Sequence, residues 1–123
     1  MLYGIISDIH GNLEALEVVL HQQRGVEKLI CLGDIVGYGP NPNECVERVK
    51  GLNIPTVAGN HDKAVTGEME LTWFNRNAAD AIIWTQKEIS EENLEYLKEL
   101  SEVLEEDDFQ CVHGSLRSPL EEY

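Results

Sequence analysis

Asp8 and His10 stand two residues apart in Ser7-Asp-Ile-His-Gly-Asn12, directly after the apolar run Leu2-Tyr-Gly-Ile-Ile6. At that spacing along an extended chain, a carboxylate and an imidazole point the same way and can reach one point. Oxygen and imidazole nitrogen donors meeting there suit a divalent metal of the manganese, iron or zinc type. Three further polar stretches follow apolar runs in the same way: Gly33-Asp34, Gly59-Asn-His-Asp62 and His113-Gly-Ser115. Asp34 lies midway in sequence between Asp8 and Asn60, about one strand-helix-strand unit from each. Taken singly, a strand-end Asp, a Gly-Asp turn, an Asn-His cap and a lone His each read equally well as local structure. Their conjunction at one sheet edge is the signal.

Strands that end together must position these residues, and the chain supplies them. Asn12 caps a helix from about Leu13 to Gln23, with Leu13, Leu16 and Leu20 as its apolar stripe and Gly25 as its stop. Lys28 to Leu32 is apolar almost throughout, as a strand covered on both faces would be. A glycine-rich loop, Ile35 to Asn41, leads to a short helix bearing Cys45, Val46 and Val49. There Asn41 is the expected cap, Pro42 the first helical residue and Glu44 the closing member of a capping box. A third strand is expected over Ile54 to Ala58. Strands joined by helices imply right-handed βαβ units and a parallel sheet, with a site beyond the carboxyl ends of the strands.

The second half predicts a helix from Thr72 to about Glu88, burying Trp73, Ala78, Ala81, Ile82 and Trp84. Ser90 caps a further helix with Leu94, Leu97 and Leu100, and Phe109 to Val112 forms the last strand. The expected fold class is α/β, a mostly parallel sheet with flanking helices, in one domain spanning residues 1–123.

Composition narrows the function classes. With 23 acidic against 9 basic residues and a formal net charge of −14, the chain offers no basic surface for nucleic acid. A phosphate substrate remains compatible, because bound divalent cations invert the local field. No apolar run reaches bilayer length and no secretory leader is evident, so no membrane is expected and the cytoplasm is the expected location. The three cysteines, Cys31, Cys45 and Cys111, form no C-x-x-C pair and read as reduced, mostly buried residues.

Together Asp8-Ile-His10, Gly33-Asp34, Gly59-Asn-His-Asp62 and Val112-His-Gly-Ser115 resemble the motifs of the calcineurin-like metallophosphoesterase superfamily. Gly33 to Glu44 and Trp84-Thr85 resemble its small prokaryotic branch, which is grouped with diadenosine-tetraphosphatase-like proteins. The resemblance implies two divalent metal ions, manganese first, with iron, zinc, cobalt or nickel as alternatives. Asp8 and His10 would hold one metal, Asn60 and His113 the other, and Asp34 would bridge them. His61 would be general acid or transition-state stabiliser, oriented by Asp62. The implied activity is hydrolysis of phosphate mono- or diesters by two-metal activation of water, on a small phosphate ester such as a nucleotide.

The superfamily's last motif, Gly-His-x-His, has no counterpart in these 123 residues. The resemblance therefore covers the N-terminal half of a four-layer αββα sandwich. It implies one missing ligand at each metal, impaired activity and self-association through an uncovered apolar face. The alternatives are a metal- or nucleotide-binding module without catalysis, and a truncated interaction protein.

Overall fold

The computed structural model describes residues 1–122. Two four-residue strands, β1 (Tyr3–Ile6) and β2 (Lys28–Cys31), pair in parallel, with Tyr3 opposite Lys28 and Ile6 opposite Cys31. Between them runs α1 (Leu13–Gln22), started by the Asn12 side chain, which accepts a hydrogen bond from the Ala15 N–H at 3.1 Å. The expected α/β class, with a parallel sheet and flanking helices, is what the chain adopts.

The run Ile54 to Ala58 occupies the third strand position without forming a regular strand. Pro55 has no N–H to give, so its carbonyl accepts from Cys31 and the Val57 N–H returns to the Cys31 carbonyl. This leaves a single parallel bridge at Thr56, and Val57 makes another with Ser101. The last expected strand also differs. Gln110–Cys111 (β4) pairs antiparallel with Leu104–Glu105 (β3), so this part is a short hairpin.

Helix α2 (Pro42–Gly51) begins with Pro42 as expected, but the Asn41 side chain does not bond the helix backbone. Its Nδ2 donates instead to Glu44 Oε2 at 3.2 Å. Asn43 ties this helix to the far half of the chain. Its Oδ1 accepts from the Ser90 N–H and Asn93 Nδ2, and its own Nδ2 donates to the Glu88 carbonyl.

Three more helices complete the cover: α3 (Asn60–Val65), α4 (Arg76–Glu88) and α5 (Glu91–Glu99). Asn75 and Ser90 cap the last two through their side chains. Gln86 of α4 donates to the Ala64 and Val65 carbonyls at the end of α3, which fixes α3 against the bundle. The core holds Ile30, Cys31, Ile35, Val36, Val46, Val49, Ile82 and Leu97, all fully buried. Each large apolar member contributes about 1.5–3 kcal/mol by leaving water.

Trp73 and Trp84, expected in the core, are 59% and 41% exposed. Leu71–Trp73 is a 3-10 turn, and α4 starts only at Arg76. Along α4 the inward positions fall on Ala78, Ile82 and Thr85, spaced four and three apart, which puts Trp84 on the outer side. Among the described residues no helix is long and apolar enough to cross a membrane.

Candidate metal centre

The loops after β1 and β2 are stitched together by backbone bonds. The N–H groups of Asp8, His10 and Gly11 donate to the carbonyls of Gly33, Asp34 and Ile35 at 3.0, 2.9 and 2.8 Å. This register forces Asp8, His10 and Asp34 into left-handed backbone, at φ of 56°, 49° and 57°. Asp8 and His10 therefore converge through two left-handed turns, not through the alternation of an extended chain. Such residues cost about 1–3 kcal/mol each and concentrate where a site needs them. Gly33 lets the third loop close in, because a Cβ there would lie 2.5 Å from the Gly59 nitrogen.

Asp34, 2% exposed, stands at the centre. Its Oδ2 lies 3.6 Å from His10 Nε2 and 3.4 Å from His113 Nε2, and its Oδ1 accepts from the His61 N–H at 2.9 Å. Asp8 Oδ1 lies 3.4 Å from His10 Nε2. Two groups of possible metal donors result, His10 with Asp34 and His61, and Asp8 with Asp34 and His113. Asp34 belongs to both. Asp8 and His10, expected at the same metal, fall in different groups although Asp8 Oδ1 lies close to His10 Nε2, and the ring of His61 also falls among the donors.

Each outer imidazole is oriented by a backbone carbonyl. His10 Nδ1–H donates to the Val36 carbonyl at 3.2 Å, and His113 Nδ1–H donates to the Leu32 carbonyl at 2.8 Å. With Nδ1 so engaged, Nε2 of both rings faces Asp34, the arrangement metal-binding histidines use. For His113, burial acts against the charged ring, but the Asp34 carboxylate and the Leu32 carbonyl outweigh it and push its pKa up to about 9. A field that holds a proton there also favours a cation. Asn60 supplies an independent sign: its Oδ1 is buried without a hydrogen-bond partner. A buried amide oxygen with nothing to accept from is costly, and a cation would satisfy it. The donor set of carboxylates, imidazoles and one amide oxygen fits divalent metals of the manganese, iron or zinc type.

His61, the first residue after Asn60 in α3, is buried with its Nδ1 unbonded. Burial holds its pKa below the usual histidine value, opposed by Asp34. Its ring is flanked by Phe74 at 5.0 Å, Tyr38 at 5.0 Å and His10 at 4.8 Å. Gly37 makes this possible, since a Cβ there would lie 2.5 Å from His61 Nδ1.

Asp62 does something other than orient that ring. Its Oδ2 accepts from the Asp34 and Gly59 N–H groups at 2.8 and 3.0 Å, and its Oδ1 from Ile35 and Val36 at 2.9 and 3.3 Å. Burial, with the nearby Asp34 carboxylate, pushes its pKa up, and the backbone donors oppose the rise. The carboxylate locks the loop that carries Asp34 to the start of α3. Tyr38 and Phe74 escape a reading of the sequence. Tyr38 lies in the glycine-rich loop, which was a usable signal, whereas Phe74 carries none.

The calcineurin-like phosphoesterase family profile matches residues 1–122. An uncharacterized protein of Methanocaldococcus jannaschii is 53% identical over 107 residues, covering 85% of this chain and 44% of that protein. The crystal structure of a metallophosphoesterase from Sphaerobacter thermophilus superposes with a TM-score of 0.86 at 47% identity, covering the whole chain and 51% of its own. A hypothetical protein from Pyrococcus horikoshii shares the fold, with a TM-score of 0.86 at 23% identity over 98% of this chain and 57% of its own. The chain thus spans about half the length of the relatives it matches. On the strength of the family match and of the motifs that build this centre, the chain belongs to the calcineurin-like phosphoesterases, a family that uses divalent metals.

Proposed function

We propose that the chain hydrolyses phosphate mono- or diesters with the help of two divalent cations, manganese first among them. Asp8, His10 and Asp34 would hold one cation, and Asp34, Asn60 and His113 the other. The observation that carries this reading is the position of Asp34, whose single buried carboxylate lies within 3.6 Å of His10 and 3.4 Å of His113. When bound, such cations polarise a phosphoryl group and make water a better nucleophile near neutral pH.

The chain's own residues supply the rest. Asp62 fixes the backbone that presents Asp34, and the Val36 and Leu32 carbonyls fix the two outer imidazoles. His61, wedged beside Phe74, gives a hydrogen bond or a proton to the oxygen that gains charge as the ester bond breaks. The substrate is a small phosphate ester, with nucleotides included.

The test is hydrolysis of bis-p-nitrophenyl phosphate across a range of Mn²⁺, with Asp34→Asn beside the wild type. Turnover that needs both Mn²⁺ and Asp34 is expected. Normal turnover by Asp34→Asn would end the two-cation reading. A melting temperature raised by Mn²⁺ without any turnover would instead mark a binding module; saturation at a hundred times Kd stabilises by about 2.7 kcal/mol.

A further inference from the structure

Tyr38 is the one bulky aromatic residue among the described residues with left-handed backbone, at φ 65°. Such a conformation persists only where the surroundings impose it. Here the Gly39 N–H donates to the His10 carbonyl at 2.8 Å, and a Cβ on Gly39 would collide with that same oxygen. The loop is therefore pressed onto the turn that carries His10. Its effect is to set the Tyr38 ring against His10 at 5.1 Å and against His61 at 5.0 Å.

Packing alone does not account for the ring, since Tyr38 stays 52% exposed beside a buried carboxylate and a buried imidazole. Its hydroxyl makes no hydrogen bond among the described residues. Nor does any lysine or arginine among them hydrogen-bond or ion-pair with Asp8, His10, Asp34, Asn60 or His61. Without a cation paired to these residues, an uncharged surface is open to the rest of a substrate. A flat exposed ring fixed at the edge of the centre is such a surface.

We propose that Tyr38 is a stacking platform for the flat part of the substrate. The site then prefers phosphate esters of nucleosides or aryl alcohols to those of saturated alcohols. This inference rests on the phosphoesterase reading above and names the substrate class for that site.

Titration calorimetry of the full chain with Mn²⁺ tests it, using adenosine 5′-monophosphate and ribose 5-phosphate as probes. The two share a phosphate and a sugar and differ in the base. Base-to-aromatic stacking predicts that the wild type binds the nucleotide about tenfold more tightly. Tyr38→Phe keeps that advantage. Tyr38→Asn loses it while tolerating the left-handed backbone, and its melting temperature verifies the fold. Equal affinities in the wild type would overturn the proposal and leave the phosphoesterase reading standing. Tyr38→Asn weakening both probes by the same factor would also overturn it, because the ring would then only position His10 and His61. Binding of neither probe would overturn the stacking proposal, while the phosphoesterase reading stands or falls on the Asp34→Asn assay.

Discussion

Replacing Asp62 by asparagine separates a structural latch from a catalytic helper. The carboxylate takes four backbone N–H bonds, two on each oxygen, and is fully enclosed. In the Asp62→Asn variant one oxygen becomes an amino group, so whichever way the amide turns, two buried N–H groups face another donor. Each such orphan costs about 1–3 kcal/mol, which gives about 2–6 kcal/mol in total. Removing a buried negative charge close to Asp34 returns part of this, so about 1–4 kcal/mol of net destabilisation is expected. For a domain of this size each kcal/mol moves Tm by about 3–6 °C, so a fall of about 3–24 °C should appear. Differential scanning calorimetry without metal measures it, and the loss should persist when Mn²⁺ is added. If Asp62→Asn melted within a degree or two of the wild type while losing turnover, the latch argument would be wrong and Asp62 would act through His61.

Two other outcomes follow from close packing. Gly37→Ala places a methyl group against His61 at a backbone φ of 98°, where an L residue is strained. It should cost about 1–3 kcal/mol and displace the His61 ring signals in an NMR spectrum, leaving those of His21 in place. The thiols of Cys31 and Cys45 have no exposure, and burial pushes both up to about 12. The native protein should therefore react with a disulfide reagent far more slowly than the denatured chain, which should titrate three thiols; rapid native labelling of Cys31 or Cys45 would contradict the packing.

The sequence by itself determined whatever depends on neighbours a few residues away. Asn12 and Ser90 start helices because a short polar side chain can reach an N–H three residues on, and both do so. The apolar runs before Asp8 and Asp34 form the paired strands, and the motifs at their ends identify the family. Tertiary structure decided what depends on segments meeting from far along the chain. Asp62 adjoins His61 in sequence, yet its oxygens are claimed by N–H groups of residues 34 to 36, which a sequence-local argument cannot weigh. The left-handed turns at Asp8 and His10 arise because their N–H groups must pair with carbonyls in the next loop. Trp84 faces outward because the start of α4 at Arg76 sets which of its positions turn to the core, and Trp73 is left in the exposed turn before it. Local propensity chose the elements, and the need to pair buried polar groups chose how they meet.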